Sequence, residues 1–216
     1  VHASRITHHI SSENVWNLLT EAWKRLAKER KAVFIRVCPL LEDTAPHTSL
    51  LQDHGFKPAP THQHPELAWM LDLSSTEEDL LKNARKTTRQ SIRKAEEAGM
   101  TVEFTTDQNS LDAFWKVYET TVARQQFTPF SRRYLETECE AFAKTSNLLI
   151  AVGRIQDTIV SAAIVTLAHG SAFYHHGASD QSHFPKVPAA HLLQWRIIQE
   201  AKRHGSKFYN FWGIVP

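Results

Sequence analysis

An α/β (α+β) fold with mixed central sheets is what this sequence predicts, on three observations. The stretch from Ser171 to Ile214 reads strand, loop, helix, strand. Ala172–Gly177 alternates and is rich in aromatics, and Lys207–Trp212 returns as a second aromatic strand. Between them Pro188 opens a helix where a missing N–H costs nothing; Leu192, Leu193, Ile197 and Ala201 form its apolar stripe, and Gly205 stands at its C-terminal cap. A crossover of this kind implies two parallel strands. Second, Leu148–Ile155 and Thr158–Ala168 form a hairpin around Gln156-Asp157 and add antiparallel pairs. Third, amphipathic helices alternate with short β-branched runs along the rest of the chain.

The earlier elements follow the same rules. Ser11 or Ser12 can cap a helix from about Glu13 to Arg30, with Val15, Leu18, Leu19, Ala22 and Leu26 on one face. Ala32–Cys38, β-branched and aromatic, reads as a strand. Pro39–Thr48 is a loop, Ser49–His54 a short helix ending at Gly55, and Lys57–Pro65, with three prolines, an extended linker. Glu66–Leu73 is a further strand. Ser75 and Glu78 form a capping box for one long helix to Ala98, closed by Gly99. On that helix Lys82, Arg85, Lys86, Arg89 and Arg93 fall within an arc of roughly 100° and make a basic stripe. Met100–Thr105 is a strand. Asn109–Gln126 and Ser131–Lys144 are helices.

Composition bounds the answer. The chain has 216 residues, enough for one large domain or two small ones, and its 42% hydrophobic and 22% charged residues are ordinary for a globular protein. No apolar run reaches the length of a membrane span and no signal peptide is visible. Cys38 and Cys139 lie far apart and read as buried thiols in a reducing, cytoplasmic setting. The first residue is Val1, and Pro216 follows directly on a strong strand, so both ends read as cut through a fold.

From Met100 the order strand, helix, helix, strand, strand, strand, helix, strand is that of a GNAT-like acyltransferase domain lacking its last helix and strands. The expected organisation is therefore tandem: residues 1–73 as the back half of a first GNAT-like domain, 74–99 as a connecting basic helix, and 100–216 as a second domain. Several motifs carry a more specific resemblance. These are Trp69-Met-Leu-Asp-Leu, the helix Leu-Lys-Asn-Ala-Arg-Lys-Thr-Thr-Arg-Gln-Ser-Ile-Arg-Lys-Ala-Glu-Glu-Ala-Gly, and the series Tyr174…Gly177-Ala-Ser…Leu-Leu-Gln-Trp195…Phe-Trp-Gly213. Over roughly Ala32 to Ile214 the chain resembles the Fem family, the aminoacyltransferases that form peptidoglycan cross-bridges. The resemblance implies transfer of an amino acid from aminoacyl-tRNA to an amine on a cell-wall precursor peptide, UDP-linked or lipid-linked. It implies no cofactor beyond that co-substrate, a monomer like the compact members, and peripheral membrane contact if the acceptor is lipid-linked. Asn210, where an acidic residue is expected, and Ala189, in place of an asparagine, depart from the family pattern.

The resemblance marks Arg89 and Arg93, with Arg85 on the same stripe, as contacts for tRNA or precursor phosphates, against the plainer reading of a solvated face. It marks Tyr174, Tyr134 and Trp212 as substrate-binding. The residues themselves add three candidates for proton transfer, His175, His176 and Asp180, but no triad. The loop His183-Phe-Pro-Lys-Val-Pro lacks glycine and loses two N–H donors to proline, which disfavours a pyrophosphate-bearing acyl-CoA. No metal site is expected. His8-His9, His62-Gln-His64 and His175-His176 have no carboxylate or thiolate at useful spacing, and strand alternation separates His175 from His176. Two other functions remain open: an N-acyltransferase with a small acyl donor, and an inactive module that binds tRNA or muropeptide.

Overall fold

The computed structural model describes residues 13–39, 41, 43–61, 67–107 and 110–214. Two compact units are present: one holds the described residues up to Leu67 together with Gly213 and Ile214, and the other runs from Ala68 to Trp212.

In the first unit, α1 (Glu13–Glu29) and α2 (Ala45–Asp53) carry the structure. The expected serine cap lies outside the described residues. The packed side of α1 is not the aliphatic stripe: Leu18 is 74% exposed, whereas Trp16 and Thr20 are buried. Trp16 and Trp23 meet edge-on, Trp16 also meets His54, and Trp23 meets Phe56. Two indoles hide more area than the leucines would, so the helix turns them inward. α2 starts a turn before its expected position because Thr44 caps it, its hydroxyl facing the His47 N–H. Ala32–Cys38 forms no strand. The segment finds no partner ladder among the described residues, Val33 and Phe34 lie in the open, and Cys38 is exposed rather than buried. Its β-branched residues fit a pleated surface only when one is supplied.

The second unit is a six-stranded sheet between two helical layers. Its strands are β1 (Leu67–Asp72), β2 (Met100–Thr105), β3 (Leu148–Ile155), β4 (Thr158–Ala168), β5 (Ser171–Ser179) and β6 (Phe208–Ile214), in the order β1-β6-β5-β4-β3-β2. β2 through β5 pair antiparallel, and β5 and β6 pair parallel as the crossover required. On one face, α5 (Leu111–Gln125) and α6 (Arg132–Ala143) enclose Phe114, Leu135, Ile150 and Ile164. On the other, α3 (Glu77–Asn83), α4 (Lys86–Glu97) and α7 (Ala189–Arg203) cover Leu149, Val165 and Ala172 with Ile92, Leu192 and Ile197. β4 is covered on both faces, which accounts for its almost unbroken apolar run.

The long basic helix is two helices. Thr76, not Ser75, caps α3: its hydroxyl accepts from the Asp79 N–H at 3.1 Å and donates to the Asp79 carboxylate. Ala84 and Arg85 are extended, and Arg89 turns back to donate to the Lys82 carbonyl at 2.8 Å and to the Ala84 carbonyl. A cation on the last carbonyls of α3 satisfies orphan acceptors and opposes the helix dipole. The break lets Leu80 and Leu81 of α3 and Ile92 and Ala95 of α4 reach the same core. The five-residue stripe is therefore not continuous, and only Lys86, Arg89 and Arg93 share a helix face.

One irregularity decides which side chains face which layer. Along β5, Ile164 of β4 pairs with His176 and the adjacent Val165 pairs with Tyr174, so His175 is an extra residue in a bulge. Before the bulge even-numbered residues face α7: Ala172 and Tyr174 join that core. After it they face α5 and α6: Ala178 belongs to the opposite core. Gly177 then lies beneath the Tyr174 ring. A Cβ there would stand 1.8 Å from the phenol oxygen, so only glycine fits.

Candidate functional site

The bulge brings His175 and His176 to one face of the sheet, which corrects the expectation of opposite faces. An acidic side chain meets both. Glu138 sits on the inward side of α6, between buried Leu135 and Cys139. Its Oε2 lies 2.7 Å from His176 Nε2 in a hydrogen bond, and its Oε1 lies 2.6 Å from His175 Nδ1. That Nδ1 is buried and makes no directed hydrogen bond. The carboxylate is 9% exposed, with His176 at 6% and His175 at 22%. Burial alone would raise the Glu138 carboxyl; the two imidazoles more than offset it and hold it down at about 2. The same burial, with the Glu138 charge beside it, pushes the Cys139 thiol up to about 12, so this cysteine is no nucleophile.

Aromatic rings wall the cluster. Phe130 and Tyr134 stack at 4.8 Å and both present edges to His176. Each is about half exposed, and burial, with Glu138 nearby, raises the Tyr134 phenol. Trp212 stands edge-on to His175 at 4.7 Å and to Phe173 at 6.2 Å. Its φ is +71°, a left-handed conformation that costs a non-glycine residue about 1–3 kcal/mol. The buried Asn210 side chain stabilises that turn by accepting the Trp212 N–H at 2.8 Å. This is the work the departing Asn210 does here.

Beside these rings the sheet opens. β5 and β6 pair only over Ser171–Phe173 and Phe208–Asn210, although both strands continue, to Ser179 and Ile214. Beyond Phe173 the backbone of β5 on that side has no registered partner among the described residues. It is an open strand edge, able to pair with the amide of an extended ligand.

The family described as the Acetyltransferase (GNAT) domain matches residues 82–214, more than half of the chain. The chain belongs to the GNAT acetyltransferase-domain family. Among solved structures the GNAT chain is similar to FemX, with a TM-score of 0.82 and 19% identity, covering 94% of this chain and 69% of FemX. It is also similar to L-PGS from Bacillus licheniformis (TM-score 0.52, 17% identity, 76% of this chain and 48% of that one). A conserved protein of unknown function from Bacteroides thetaiotaomicron gives a TM-score of 0.54 at 11% identity, over 90% of this chain and 66% of that one. No curated protein matches. At these identities the likenesses establish the fold alone, a GNAT-like mixed sheet as the Fem resemblance implied, and they do not show the expected tandem arrangement.

In this GNAT domain the residues marked from sequence separate into groups. His175, His176, Tyr134 and Trp212 come together around the open edge. Tyr174 goes to the other face, where Gln194 hydrogen-bonds its phenol and burial pushes it up to about 12. Asp180 caps its own turn: its carboxylate accepts from the Ser182 N–H and hydroxyl at 2.8 and 2.9 Å. Burial would raise it, and the Ser182 bonds and His183 bring it below the usual range. Arg89 is spent on α3, while Arg85 and Arg93 are exposed. The pairs His8-His9 and His62-His64 lie outside the described residues. Sequence reasoning missed Glu138 and Phe130. For Glu138 a signal existed: Leu135, Glu138, Cys139 and Phe142 form an i, i+3, i+4, i+7 stripe, and a carboxylate within such a stripe needs a buried partner.

Proposed function

We propose that this GNAT domain moves an aminoacyl group from aminoacyl-tRNA to an amine of a peptidoglycan precursor peptide. The observation that carries the reading is the parting of β5 from β6 beside Trp212, in a fold shared with FemX over 94% of the chain. The acceptor amine attacks the ester carbonyl carbon; a C–N bond forms, the ester C–O bond breaks, and the amine proton leaves as the tRNA ribose hydroxyl is restored. Aminolysis of an ester is downhill, so the site must mainly hold the amine against the carbonyl and donate to the oxyanion. Backbone N–H groups on the free β5 edge supply such donors, and Trp212, Phe130 and Tyr134 supply apolar walls. On this reading Lys86 and Arg93 meet phosphate, Arg89 holds the α3–α4 junction, and no strong base is required. The acceptor is a cytoplasmic muropeptide, UDP-linked or lipid-linked, and the protein works as a monomer.

The test is transfer of labelled amino acid from charged tRNA to a muropeptide, with acetyl-CoA as a competing donor. Product with charged tRNA only, falling about tenfold in Arg93→Ala without loss of stability, is the expected result. Acetyl transfer in its place would overturn the donor assignment. Binding without any transfer would leave a recognition module.

A further inference from the structure

We infer that Glu138, His175 and His176 form a binding site for one divalent transition-metal ion of the Zn2+ class. The inference goes beyond aminoacyl transfer and does not depend on it. One carboxylate oxygen and one nitrogen from each imidazole converge, all within 4.8 Å of one another. Two imidazoles and a carboxylate are a ligand set suited to zinc, and three protein ligands leave a position open. The site is built rather than incidental. A strand cannot present two successive side chains to one point unless a bulge resets its alternation, and the bulge falls on His175. His176 and Glu138 are enclosed, and burying a carboxylate between two imidazoles is costly unless cations or protons compensate it.

The His175 nitrogen is placed to serve as the third ligand. Nδ1 is buried and faces the carboxylate at 2.6 Å outside good hydrogen-bond geometry, and an ion entering between them would displace a proton and take the nitrogen as a ligand. Bonds of about 2.0–2.2 Å to zinc place tetrahedral ligand atoms roughly 3.3–3.5 Å apart. The present separations of 2.6 and 2.7 Å must widen by somewhat under an ångström. Small rotations of the Glu138 side chain, which bonds only the two imidazoles among the described residues, provide that. Phe130 and Tyr134, both half exposed, border His176, so a small ligand or water could reach an ion held there.

The experiment is titration of the chelator-stripped protein with Co2+, followed by visible absorption, then displacement by Zn2+ followed by calorimetry. Expected is one equivalent of Co2+ with the intense visible bands of a four- or five-coordinate centre. Zn2+ should displace it, and affinity should fall at least about 100-fold in His175→Ala and in Glu138→Gln. His191→Ala and His204→Ala should bind as the parent does, since thirteen histidines could otherwise hold stray metal. Circular dichroism establishes folding of each variant. If Glu138→Gln does not fold, the bulge variant His175→Ala decides alone, because its ring is the most exposed of the three. Absence of the Co2+ bands, or equal affinity in His175→Ala and the parent, overturns the site and leaves three side chains that tie α6 to β5. Neither readout involves tRNA or muropeptide, so failure of transfer and failure of metal binding are separate results.

Discussion

Two polar clusters lie on opposite faces of one strand, and they are built to different ends. On the α7 face Tyr209 donates to Gln194 at 2.6 Å, and Gln194 also hydrogen-bonds Tyr174. Burial raises both phenols, Tyr174 to about 12 and Tyr209 well above its usual value, so neither ionises at neutral pH. Every member is answered by another member. On the α5–α6 face, Glu138, His175 and His176 are answered only in part, and the rings around them are half exposed. A polar cluster that closes on itself specifies a core; one with capacity left over can bind. The bulge at His175 is what assigns each side chain to one cluster or the other.

The largest expected effect breaks the closed cluster. Gly177→Ala places a Cβ against the Tyr174 phenol, and urea unfolding should show a loss of roughly 2–3 kcal/mol. Adding Tyr174→Ala should recover part of that loss if the clash is the cause, and strict additivity of the two costs would refute it. The open cluster responds to pH instead. The Glu138 carboxyl is held at about 2 against a reference of 4.5, a depressed value. Its contribution is therefore fully present above pH 4.5 and is lost as pH falls through about 2. Glu138→Gln should cost on the order of 1–3 kcal/mol at neutral pH, and its stability difference from the parent should shrink across that acid window. An unchanging difference would show that the carboxylate is not held by the imidazoles. The smallest effect sharpens the contrast: Tyr209→Phe removes one satisfied bond and should cost about 1 kcal/mol while leaving metal affinity as in the parent.

How much of this could be read in the residues depends on how local each cause is. The β3–β4 hairpin, β2, and the parallel return of β6 follow from alternation, turn residues and crossover geometry, and they stand where expected. The α3–α4 break did not show, because Asn83-Ala-Arg-Lys carries neither proline nor glycine, and its cause is Arg89 reaching back to carbonyls five and seven residues away. Ala32–Cys38 has strand chemistry without a strand to join. In the site, the histidines and Tyr134 were visible by type, but their meeting was not. It turns on a single unpaired residue, and strand parity cannot be read through a bulge that leaves no mark in composition.

That residue has a further consequence for how the site can come and go. A bulge resets alternation, so deleting His175 would restore a regular strand in which Tyr174 still faces α7 and His176 still faces α6. Every downstream side chain keeps its side, the pairing with β4 closes up, and neither core is repacked. A gain or loss of one codon here therefore adds or removes a ligand as a self-contained event. The fold can be inherited unchanged while the chemistry of its open edge is rewritten.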